Sequence, residues 1–144
     1  MLHMKTEGTA IVQLGKYGDL MNLLPVARHL HKTGVTPYWV VSINYLSILK
    51  GVDYLHPDPV HFHVTKIKDA LQYAAAKYET VLNGQPYGKD YKGPKDVSYN
   101  ELAWRNCGFG EQFRNAEEFP LVFNRRDSER EDFLALQHGC KNAT

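Results

Sequence analysis

The sequence has little of what would assign a function at once. Only two cysteines occur, Cys107 and Cys140, far apart in the chain. That excludes a disulfide framework and the paired spacings of a zinc site, and it reads as two reduced thiols. No stretch approaches the roughly 20 consecutive apolar residues of a membrane span. The N-terminus lacks the apolar core of a signal peptide. A cytoplasmic location is expected. Neither sign of charge is in excess: 17 Lys and Arg stand against 16 Asp and Glu, for a net charge of +1. There is no global basic field for nucleic acid, and no block of like charge marks an interaction tail. Internal repeats and low-complexity tracts are missing too.

What is present is ordinary globular material. The chain has 144 residues, 43% of them hydrophobic and 23% charged. That suits a single domain over residues 1–144 with a real core. Residues 9–14 (TAIVQL) read as a buried strand that ends at a glycine. From Asp19 a helical pattern follows, with Leu20, Leu23, Leu24, Ala27 and Leu30 on one face and Asp19 as its N-cap. Pro25 inside this pattern predicts a kink or a late start, and Gly34 ends it. Residues 38–42 (YWVVS) form a second strand. Residues 44–50 form a short helix, and residues 52–55 a brief third strand. The prolines of His56-Pro57-Asp58-Pro59 then break regular structure.

Residues 66–78 give the clearest helix, with Ile67, Ala70, Leu71, Ala74, Ala75 and Tyr78 in register. Residues 79–83 (ETVLN) read as a fourth strand, and residues 84–97 as a long loop. Capping boxes at Ser98-Tyr99-Asn100-Glu101 and Ser128-Glu129-Arg130-Glu131 open two more helices. A weaker helix covers residues 110–118, and residues 120–124 are extended. Trp39 and Trp104 read as core packing. Strand and helix alternate, so the expected fold is α/β: a Rossmann-like, doubly wound, mainly parallel sheet flanked by helices. Ligands in such sheets sit at the carboxyl ends of the strands.

The turn Gly15-Lys16-Tyr17-Gly18-Asp19 lies at one of those ends. It lacks the Gly-Lys-Ser/Thr of a P-loop and the third glycine of a dinucleotide fingerprint. A carboxylate at the helix start would also compete with a phosphate for the same backbone donors. Two readings remain. Asp19 caps its helix, or it faces the cleft and takes a proton from a hydroxyl nucleophile while Gly18 lets a substrate approach closely.

The run AIVQLGKYGDLMNLLPVARHLHKTG resembles the start of the lipopolysaccharide heptosyltransferases, glycosyltransferase family nine. Gly18, Asp19, Pro25 and Arg28 match that family's Gly-Asp turn, internal proline and basic residue. The likeness covers roughly the first quarter of the chain; residues 119–137 are more loosely similar to the family's inter-domain region. The resemblance implies one half of a GT-B architecture, the N-terminal acceptor-side domain. It implies Asp19 as the general base. It also implies a nucleotide-sugar donor held by a C-terminal domain that the chain lacks, so the chain alone is expected to be inactive. Gly15, Lys16 and Gly18 are the expected substrate contacts of the turn, with Lys16 near the donor phosphate. No metal or other cofactor is expected, because positive groups and helix N-termini can stabilise a departing diphosphate.

The loop residues Tyr87, Lys89 and Tyr91 interleave aromatic rings and positive charge, which suits sugar stacking or contact with nucleic acid. The acceptor is open between lipopolysaccharide, another glycan and a modified nucleic acid. His56, His61 and His63 form the one local histidine cluster, better read as a solvated loop than as a metal site. Arg125-Arg126-Asp127 is a candidate phosphate contact. Two rival classes stand beside the transferase: a free-standing nucleotide- or sugar-binding module, and a protein-interaction domain.

Overall fold

The computed structural model describes residues 6–85, 99–115, 128–137 and 139. Among these described residues, four parallel strands build one sheet: β1 (Thr6–Val12), β2 (Tyr38–Ser42), β3 (His56–Val60) and β4 (Tyr78–Asn83). Their spatial order is β3-β2-β1-β4. The helix α1 (Tyr17–Lys32) connects β1 to β2, a 3-10 helix (Ile43–Gly51) connects β2 to β3, and α2 (Ile67–Lys77) connects β3 to β4. Three further helices follow: α3 (Tyr99–Asn106), α4 (Gly110–Asn115) and α5 (Ser128–Gln137). The chain is thus an α/β protein with an all-parallel, Rossmann-like sheet.

Strand alternation divides the core in two. Ile11, Trp39 and Val41 point to one face, where α1, the 3-10 helix and α3 pack through Leu23, Leu24, Ala27, Leu49 and Trp104. Ala10, Val12, Val40 and Val60 point to the other, where α2 packs through Ala70 and Ala74. Because both faces are covered, residues 10–12 of β1 and 38–41 of β2 read as continuous apolar runs. Trp39 and Trp104 are buried, as the sequence predicts.

The structure corrects four local expectations. First, of the kink or late start expected at Pro25, the late start does not occur: α1 runs through Pro25, from Tyr17 to Lys32. Second, Asp19 is not the N-cap. Lys16 holds that place, and Asp19, three residues on, accepts the Lys16 backbone N–H at 3.2 Å. This is the acidic half of a capping box, reaching back from the first turn. Third, residues 52–55 are not a strand, and the third strand is the His56–Val60 segment itself. Fourth, the short helix after β2 is of the 3-10 type and extends to Gly51.

Two prolines fit in β3 because it is an edge strand. His56 donates its N–H to Pro37 O at 2.9 Å, so alternate residues 56, 58 and 60 face β2. Pro57 and Pro59, which have no N–H to offer, point that side of the backbone away from the sheet. Gly34 ends α1 as expected, at φ +97°. Its N–H reaches His31 O and the Val35 N–H reaches Leu30 O, a Schellman closure.

Candidate functional site

The strand order reverses at β1, between its neighbours β2 and β4, and this is where ligands of such sheets bind. At the carboxyl end of β1 the chain passes through Gln13 and Leu14 into the Gly-Lys-Tyr-Gly-Asp turn. Gly15 is buried, Asp19 half-buried, and Lys16, Tyr17 and Gly18 are exposed. The structure therefore brings Gly15, Lys16, Gly18 and Asp19 together at the expected edge. Tyr87, Lys89 and Tyr91 lie outside the described residues, as does Arg125-Arg126-Asp127.

Three consecutive backbone donors leading into α1 are already engaged. Leu14 N–H donates to Gln85 Oε1 at 3.0 Å, Gly15 N–H to Gln13 Oε1 at 2.8 Å, and Lys16 N–H to Asp19 Oδ2. A phosphate cradle needs such consecutive donors directed at the ligand. Here protein side chains hold three in a row.

Two buried glutamines build this arrangement, and the sequence reading did not single them out. Gln13, 1% exposed, also donates from Nε2 to Gly84 O at 2.8 Å. Gln85 donates from Nε2 to Val64 O at 2.8 Å, and its own N–H goes to Asn83 Oδ1 at 2.9 Å. Together they tie the exits of β1, β3 and β4 and fill the crevice between β1 and β4 with satisfied amides. A signal for Gln13 exists in the sequence: it is a lone amide at the end of an apolar strand run.

The two glycines of the turn differ in kind. A Cβ on Gly15 would meet the Asp19 carboxylate and stand 2.7 Å from Gln13 Oε1, so glycine there makes room for Asp19 itself. A Cβ on Gly18 would have nothing within 4 Å. Gly18 is not among the described glycines with positive φ. The fold does not demand glycine at 18, and the bare backbone there faces open space.

Beside it, Tyr17 is 45% exposed yet held in place. Its ring meets Tyr45 edge-on, with centroids 5.1 Å apart and planes at 82°, and its hydroxyl lies 3.3 Å from Ser47 Oγ. Arg28 does not reach this edge. It stands nine residues along α1, roughly 13 Å down the helix axis at 1.5 Å per residue, and interacts electrostatically with buried Tyr54.

A second polar cluster sits on the α2 face. Asp58, buried on β3, accepts from Tyr78 Oη at 2.6 Å, from Lys77 Nζ at 3.0 Å, and from Tyr73 Oη at 2.9 Å to each oxygen. Burial alone would raise its pKa. The hydrogen bonds from Tyr78, Lys77 and Tyr73, with the Lys77 charge, outweigh that and hold it below the usual carboxylate range. Burial and the Asp58 contact push the Tyr78 hydroxyl upward. Cys107 is a buried thiol whose pKa desolvation pushes up to about 12, so it is inert rather than nucleophilic.

His56, His61 and His63 do not converge: no group of three or more His, Cys, Asp or Glu able to hold a metal occurs among the described residues. His63 Nδ1 instead pairs with Thr65 Oγ1 at 2.9 Å. A depression of about 490 Å³ between α3 and α4, lined by Arg105, Gly108, Gly110, Glu111 and Gln112, contains none of the expected site residues. No helix among the described residues is long and apolar enough to cross a membrane. No protein-family model, curated protein or solved structure matches the chain. The likeness to the heptosyltransferases therefore rests on the residues quoted for it.

Proposed function

We propose that this chain is the acceptor-side domain of a glycosyltransferase of the GT-B kind, with Asp19 as its general base. One observation carries the reading. A carboxylate stands on the first turn of α1, at the carboxyl end of an inner strand, beside the bare surface of Gly18, after three consecutive backbone donors, at residues 14–16, that protein side chains already hold. This is a place for a neutral hydroxyl rather than for a phosphate. Asp19 takes the acceptor's hydroxyl proton as that oxygen attacks the anomeric carbon of a nucleotide-activated sugar. The bond to the diphosphate oxygen breaks, and the diphosphate leaves with the electron pair. Lys16, exposed on the same turn, supplies positive charge towards it. The donor is held by a companion domain of the parent chain, so the isolated domain does not turn over.

The plain alternative is that Asp19 only caps α1, which its bond to Lys16 N–H favours. Isotope-edited NMR of the 144-residue chain addresses the reading. Sugar acceptors are expected to move the amides of residues 15–19, and nucleotide sugars to move them little. Micromolar binding of a nucleotide diphosphate at this turn overturns it. The base is tested by Asp19→Asn in an assembly that includes a donor-binding domain. Turnover should fall by about 10²- to 10⁴-fold, the usual contribution of a positioned base. Near-normal turnover leaves Asp19 as a cap.

A further inference from the structure

We infer that the outer edge of β4 is a self-association surface, on which a second copy of this chain pairs β4 against β4, antiparallel about a twofold axis. The inference is independent of the chemistry of Asp19. The two edges of the sheet are built differently. At the β3 edge, Pro57 and Pro59 have no N–H to present, which blocks the addition of a strand. The β4 edge has no proline in Tyr78–Asn83. Its register against β1, with the Gly84 N–H on Val12 O at 2.9 Å, turns the backbone groups of residues 80, 82 and 84 inward. Residues 79, 81 and 83 therefore direct their N–H and C=O groups outward. Among the described residues no strand pairs with that side. Glu79 and Thr80 are exposed, and Val81, Leu82 and Asn83 are half-buried.

The hand of the fold argues against a further parallel strand from this chain. From β1 to β2 the chain crosses with α1 on one face of the sheet. From β3 to β4 it runs the opposite way with α2 on the other face. Both crossovers thus have the same hand, the right-handed one that parallel units take. The next helix, α3, lies on the α1 face, with Trp104 in that core. A parallel strand laid outside β4 after it would need the opposite hand.

β4 is complementary to itself. With Val81 opposite its own counterpart on the axis, Glu79 stands opposite Asn83, and Thr80 opposite Leu82. The outward groups of residues 79, 81 and 83 then meet in register, for about six main-chain hydrogen bonds. The facing valines make a favourable cross-strand pair, whereas a register centred on Glu79 would set two carboxylates side by side. Glu79 and Asn83 share a face of the strand, so each carboxylate meets an amide across the axis. Asn83 Oδ1 accepts the Gln85 N–H at 2.9 Å, which leaves its Nδ2 to donate. The Asn83 carbonyl accepts Asn106 Nδ2, and its second lone pair serves the second copy. A net charge of +1 sets little repulsion between copies.

The test is sedimentation equilibrium of the full chain, with amide exchange read residue by residue at about 10 μM and about 1 mM protein. One strand pair is smaller than a standard interface, so a Kd of about 10–100 μM is expected. The amides of Glu79, Val81 and Asn83 should then exchange about fivefold more slowly at the higher concentration. Those of Thr80 and Leu82, which bond β1, should not change. Val81→Pro removes an outward N–H without touching the bonds to β1, and should raise Kd by about tenfold or more. If that variant fails to fold, the wild-type amide pattern decides alone. A chain that stays monomeric at 1 mM overturns the inference. So does a dimer that a folded Val81→Pro leaves intact, or one in which the Val81 amide exchanges as fast as in the monomer. Slow exchange at 79, 81 and 83 that is the same at both concentrations also overturns it, and assigns the edge to a segment of this chain such as residues 120–124.

Discussion

A methyl group at Gly15 would have to displace the Asp19 carboxylate or the Gln13 amide, and both are hydrogen-bonded to the turn's own backbone. Gly15→Ala is therefore expected to cost about 1–3 kcal/mol, the range for overfilling a packed position. The same change three residues on should do the reverse. Gly18 has open space and no positive φ, so Gly18→Ala should be neutral or should stabilise the fold by up to about 1 kcal/mol through helix propensity and a stiffer unfolded chain. Urea midpoints at constant slope measure both. The pair separates two roles that one spacing of glycines hides. If Gly18→Ala is as stable as wild type but binds glycosides less well, the glycine is kept for a ligand. If both properties are unchanged, position 18 has no task that requires glycine.

The elements differ in how much their own residues determine them. β2 and α2 were legible because their patterns are local: a nearly all-apolar aromatic and valine run for one, a helical apolar stripe for the other. β4 was legible for the same reason, within one residue. β3 was not. Pro57 and Pro59 argue against a strand unless the strand is an edge whose prolines face outward, and edge position is a property of the sheet, not of the five residues. The Asp58 cluster that joins β3 to α2 and β4 was equally invisible, because its members come from positions 58, 73, 77 and 78.

That cluster makes a prediction about acid. The folded Asp58 carboxyl titrates below its unfolded value of about 3.9. Its contribution is thus complete above about pH 4 and is lost as pH falls through the lower, folded value. Asp58→Asn should flatten this acid limb in pH-dependent unfolding, and an unflattened limb would assign it to other carboxylates. Asp58→Ala should cost about 1–3 kcal/mol at neutral pH, because it leaves the buried Tyr78 hydroxyl without its acceptor. The Lys77 bond adds little to that, since Lys77 is 46% exposed and its charge is screened.

At the scale of the whole molecule, the candidate site divides into what a short window carries and what only the fold assembles. Gly18 and Asp19 sit in one turn, so their spacing could be read directly. Gln85 reaches the start of that turn across 71 residues of sequence, and Gln13 beside it reaches Gly84 over the same span, and no local pattern announces contacts of that range. Yet Gln85 decides whether the turn is rigid. Its side chain accepts from Leu14 N–H and donates to Val64 O, so it holds the β1 exit against the β3 exit. Gln85→Ala should leave the buried Leu14 N–H and the half-buried Val64 carbonyl without that partner and cost about 1–3 kcal/mol in global stability. The sharper consequence is local. Amide exchange at Leu14, Gly15 and Lys16 should accelerate by about tenfold beyond what the global loss produces, because these groups then open without unfolding the sheet. Amides of Ile11 and Trp39, in the core beneath, should follow the global change alone. Uniform acceleration across all five positions would mean that Gln85 supports the sheet as a whole. Acceleration confined to the turn would mean that the molecule uses a buried amide to hold Tyr17, Gly18 and Asp19 in one geometry. That is the condition a binding turn needs if it is to favour one ligand over another.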